Sequence, residues 1–148
     1  MQNPCRTDKQ LRDQRVLDLL RSLVRINTEH AAPEPARYPL ALARWQLVAL
    51  LREYHLFKRV EIFDPAIRSG TADHARQAQA MLTACQEGWY GFTAYTLEWS
   101  SRDVAALWPA YTIAMLDMAE RLHAHVAREE VLVRQLLQHS PRTRRLVR

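Results

Sequence analysis

One line of residues near the C-terminal end limits the fold of this chain more than any other feature: Tyr111, Met115, Met118, Leu122, His125, Glu129, Leu132, Leu136. Steps of three and four residues keep all eight on one side of a single long α-helix, which must bury that side. Two of the eight, His125 and Glu129, are polar. A histidine and a carboxylate four residues apart are a metal-ligand-like pair, and burying them is costly unless they are used or paired. The same periodicity recurs upstream without strand-like alternation, and no internal repeat is visible. The expectation is an all-α, up-down four-helix bundle.

Leu11, Val16, Leu17, Leu20, Leu23 and Val24 mark a first helix over about 8–27, which the Pro33, Pro35, Pro39 cluster ends. A second runs over 40–60, apolar on nearly every side at Leu47–Leu51, as expected of a central helix or one that meets a second subunit. Asp64-Pro65 and Ser69-Gly70 close it. Thr71 or Asp73 caps a third helix reaching about residue 99, with the inner line His74, Ala78, Met81, Cys85, Gly88, Phe92, Tyr95, Trp99. Ser100–Asp103 reads as a capping box for a fourth helix to about residue 139, with a kink or short break at Leu107-Trp108 ahead of Pro109. Gly88 and Gly91 read as points of close helix packing or a bend.

At 148 residues the expectation is a single domain over 1–148, with a polar tail over 1–8 and a basic tail over 140–148. Cys5 falls in the first tail and Cys85 on a core stripe, so a disulfide between them is not expected. The pI near 9.7 and net charge of +5 point toward nucleic acid. Yet Arg142, Arg144, Arg145 and Arg148 carry four of the five excess charges, and no aromatic is interleaved with them. Nucleic-acid binding is therefore expected only through that tail, if at all. There is no membrane span and no apolar stretch of a secretory signal near Met1, which gives a cytoplasmic expectation.

Four antiparallel helices place the start of the first, the end of the second, the start of the third and the end of the fourth at one end of the bundle. That end gathers His55, His74, His125 and Glu129, with Asp13 and Gln14. The other end collects Trp45, Trp89, Tyr90, Phe92, Tyr95, Trp99, Trp108 and Tyr111. His123 and Glu130 are expected to face solvent, His139 to meet a helix dipole, and His30 to lie in the proline-rich connection.

The stretch Leu122-His-Ala-His125-Val-Ala-Arg-Glu129 resembles the last helix of hemerythrin-like (HHE cation-binding) proteins, and Leu51–Pro65, ending in Phe63-Asp-Pro65, is similar to their second. The resemblance implies a hemerythrin-like bundle that holds non-haem iron. It also implies a ligand set to which His55, His74, His125 and Glu129 correspond. Three positions depart from it: Asp13 or Gln14 stands for the first-helix histidine, Arg59 for the second-helix glutamate and Ala78 for the second histidine of the third helix. A pair of irons needs deprotonated ligands, which an arginine opposes. The expectation is a degenerate site binding at most one iron, zinc or manganese ion, in a regulatory protein that senses metal, oxygen or redox state. The alternative is a metal-free interaction module in which Arg59 pairs with Glu129. No nucleophile motif, phosphate loop or paired-carboxylate pattern indicates an enzyme. A homo-oligomer or a protein partner is the expected association.

Overall fold

A computed structural model describes residues 4–29 and 33–138, with side chains described for all of these except 33–38. The described residues form α1 (Pro4–Glu29), α2 (Pro33–Lys58), a π-helical turn (Arg59–Phe63), the short α3 (Asp64–Ser69), α4 (Ala72–Ser101) and α5 (Trp108–Gln138). None of them is in a strand, so the all-α expectation holds. No helix among them is long and apolar enough to cross a membrane.

The four long helices pack in a ring, α1 against α2 and α5, and α4 against α5 and α2. The start of α1 meets the end of α5 through Lys9 and Glu129, while the end of α4 meets the start of α5 through Trp99 and Tyr111. Neighbouring helices are thus antiparallel. Two apolar clusters result. The larger runs from Val16 and Tyr54 through Leu23, Leu47 and Phe92 to Trp99, Tyr111 and Met115. The smaller joins Ile62, Phe63, Ala78, Leu82, Cys85, Val133 and Leu136.

Element ends follow the capping chemistry with some corrections. Thr71 caps α4, its hydroxyl accepting the N–H of His74 at 3.2 Å. Gly70 ends α3, where a Cβ would lie 2.5 Å from the Ala66 carbonyl oxygen; only glycine lets the chain turn there. Ser100 and Ser101 do not start the last helix. Their hydroxyls bond back to the Leu97 and Glu98 carbonyls at the end of α4. Asp103 instead organises the connection by accepting from the N–H groups of Ala105 and Ala106. Pro109 then falls in the first turn of α5, where a missing N–H costs nothing, and the interruption expected before it is a break, the non-helical connection over 102–107. The prolines near residue 35 likewise open α2 instead of preceding it, with Pro39 inside the helix.

At the first tail, α1 begins at Pro4, and Cys5 packs beside the smaller apolar cluster. Among the described residues nothing lies within 4 Å of a Cβ at Gly88 or Gly91, so neither serves close packing there. Trp45 and Tyr90 are exposed and do not join the aromatic end, whose buried rings include Phe92, Trp99 and Tyr111. His30, His139 and the C-terminal arginines lie outside the described residues.

A buried lysine and carboxylate centre

Where the two apolar clusters adjoin, α1, α2, α4 and α5 each turn polar side chains inward. On α1 the inner line steps 4-3-4-3-4 through Lys9, Asp13, Val16, Leu20, Leu23 and Asn27, so the geometry that buries leucine also buries Lys9 and Asp13. On α2 the line through Leu40, Ala43 and Leu47 continues to Tyr54 and Lys58. Cys85 comes from α4. His125 and Glu129 come from α5, and Glu129 is only 1 % exposed.

Glu129 is the hub. Lys58 Nζ donates to its Oε2 at 2.9 Å, the Cys85 thiol donates to the same oxygen at 2.9 Å, and His125 Nε2 lies 3.1 Å from it. Lys9 Nζ stands 3.2 Å from Oε1, an ion pair outside hydrogen-bond geometry. Lys9 also donates to Asp13 Oδ2 at 2.7 Å, and the Tyr54 hydroxyl donates to the other oxygen of Asp13. The Tyr54 ring lies near both ammonium groups, 4.5 Å from Lys58 Nζ and 5.8 Å from Lys9 Nζ. Two ammonium groups thus face two carboxyl groups inside the protein.

The electrostatics follow. Burial pushes Glu129 up, but Lys58, the His125 hydrogen bond, Lys9 and the Cys85 hydrogen bond overcome it and hold the carboxyl well below its ordinary range. Burial pulls Lys58 down, and Glu129 outweighs burial, so its ammonium is held above the usual lysine value. Asp13 is raised by burial, against the opposing pull of Lys9. Burial, with Glu129 beside it, pushes the Cys85 thiol up to about 12. That thiol is protonated and unreactive at neutral pH. The cluster is also no nucleophile relay: His125 uses one nitrogen, Nε2, toward both Cys85 (3.3 Å) and Glu129, whereas a relay needs its two nitrogens on different partners.

The sequence-derived residues separate into two groups. Asp13, His125 and Glu129 are at the centre. His55 is half-buried, its imidazole held below the ordinary value by burial, Lys58 and Arg59, with Glu129 opposing. His74 is half-buried in the first turn of α4. Neither joins the group of three or more donor side chains that could surround one ion, which among the described residues is Cys85, His125 and Glu129. Gln14 points outward and bonds Asp18. The pairing of Arg59 with Glu129 is overturned: Arg59 is exposed, its Nε 3.9 Å from Asp64, and Lys9 and Lys58 hold the carboxylate. The inward register of α2 is Tyr54 and Lys58, one residue before His55 and Arg59. Glu130 is not a solvated charge either, since Lys9, Arg134 and Arg6 lie within 3.6 to 3.9 Å of it. His123 is exposed, as its position two residues from His125 predicts.

Comparison with known proteins adds no identity: no family model, no curated protein and no solved structure matches this chain.

Proposed function

We propose that this chain is a non-catalytic binding or regulatory bundle of hemerythrin-like plan, in which lysine ammonium groups neutralise the carboxylate that a metal would otherwise hold. The observation that carries this reading is the position of Lys58 and Lys9 on opposite oxygens of Glu129, at 2.9 and 3.2 Å. A divalent ion entering beside Glu129 meets two positive charges before it meets a ligand. The lysines do locally what the metal does in an intact centre, which frees the fold from metal supply. Outward contacts then carry function, and Trp45, Tyr90, Leu97 and Ile113, each at least 70 % exposed, are apolar surface available to a protein partner.

A second reading rests on the Cys85, His125 and Glu129 donor atoms, separated by 2.9 to 3.3 Å. Around one tetrahedral ion such donors stand roughly 3.3 to 3.6 Å apart, given metal bonds of about 2.0 to 2.3 Å, so a small expansion would admit zinc or iron. A thiolate ligand disfavours manganese. Lys58 would have to leave Oε2.

Elemental analysis of untagged protein grown with iron, zinc and manganese decides between them, together with urea unfolding in the presence and absence of chelator. The lysine-neutralised bundle contains no stoichiometric metal and unfolds at the same midpoint in both. About one metal per chain, lost in Cys85→Ala and His125→Ala, overturns that reading and establishes the single-ion site.

A further inference from the structure

The opposite end of the bundle has a second polar feature, independent of the lysine centre. Three buried side-chain atoms there have no hydrogen-bond partner, both amide atoms of Asn27 and Nη1 of Arg44, and the buried hydroxyls of Tyr95 and Tyr111 have none beyond each other. They come from α1, α2, α4 and α5, one side chain each. Asn27 is 3 % and Tyr111 1 % exposed.

Helix geometry places them together. Eighteen residues make five whole turns, so Asn27 lies on the face of α1 that carries Lys9, and Tyr111 on the face of α5 that carries Glu129. Because α1 and α5 are antiparallel and Lys9 meets Glu129, Asn27 and Tyr111 fall at one level, five turns away. The Arg44 guanidinium lies 6.0 Å from the Tyr111 ring centroid. Tyr95 is within reach of both: after burial, Tyr111 is the main influence raising its hydroxyl, by charge and by a hydrogen bond between the two side chains, and Arg44 acts in the opposite sense. No acidic residue is among those influences.

Orphaned buried polar groups oppose folding unless something bonds them. These groups offer N–H or O–H donors from all four side chains, a cation among them, against few acceptors. Water can bond the hydroxyls; an anion with two acceptor oxygens bonds them and also pairs with the half-buried Arg44 guanidinium. The walls are aromatic. Trp99 and Trp108 lie 5.2 and 5.8 Å from Tyr111, and Phe92 lies 6.3 Å from Tyr95, which favours an anion with a hydrocarbon part over an inorganic one. We propose that Asn27, Arg44, Tyr95 and Tyr111 form an internal binding site for a small organic carboxylate.

Titration of the full chain with benzoate, acetate and inorganic phosphate at constant ionic strength, followed by NMR, tests this. The expected result is saturable binding of benzoate, weakened about tenfold in Tyr95→Phe, which removes one hydroxyl and no bulk. Arg44→Met abolishes it. Should Arg44→Met fail to fold, Tyr95→Phe alone keeps the test. No saturable binding of either carboxylate, binding of phosphate alone, or equal affinity in Tyr95→Phe overturns the proposal.

Discussion

At the scale of single residues, Glu129 governs the interior. Removing its charge with Glu129→Gln leaves Lys9 and Lys58 facing one carboxylate fewer, and a broken buried pair costs about 3 to 5 kcal/mol. The expected loss in urea unfolding is of that size. Lys58→Met, which leaves Lys9 on Glu129, should cost less, and the double variant should recover part of the sum, because the two side chains share one network. Cys85 gives a chemical check: buried and protonated, it should react with a thiol reagent far more slowly in the folded protein than in denaturant, while the half-buried Cys5 reacts first. His55 gives a pH signature. Its folded value lies below the ordinary 6.5, so the unfolded chain takes up the proton first, and stability falls as pH drops from 6.5 through the folded value. His55→Gln should remove that part of the slope. Glu129, also depressed, contributes stability that is present above 4.5 and lost only as pH falls much further; Asp13, raised, acts in the opposite sense.

Among the elements, α2 and the π-turn after it are the least regular. Pro39 lacks the N–H of an interior helical position, and Pro39→Ala should raise stability by roughly 1 to 3 kcal/mol, read as a higher denaturation midpoint. The π-turn carries one extra residue, and by absorbing it the chain brings both Ile62 and Phe63 inward. Deleting the exposed Val60 should rotate α3 and uncover one of them, with loss of stability and of the Phe63 contacts. The same element explains where the sequence was legible and where it was not. Long periodic stretches announced four helices, and His125 and Glu129 stood out because they interrupt a line of leucine and methionine. On α2 the resemblance points to His55 and Arg59, whereas the inward register carried on from Leu47 falls one residue earlier, on Tyr54 and Lys58. Lys9 is not legible in the sequence for a different reason. A lysine near a chain end looks solvated until the opposing helix is known to bring a carboxylate to it.

For the whole molecule, the arrangement of the core matters more than its size. The two apolar clusters flank a layer of charged and polar groups, and Phe57 packs against both. The hydrogen bonds of an ion network depend on both distance and angle, whereas apolar contacts are non-directional and tolerate slip. The seam between the clusters is therefore where cooperativity is weakest. The protein should behave as two foldons: one around Leu23, Leu47 and Met115, the other around Phe63, Leu82 and Val133. Native-state hydrogen exchange should show the second opening at lower free energy, because it rests on fewer side chains. Acid, which weakens the layer, should widen the gap between them before either melts.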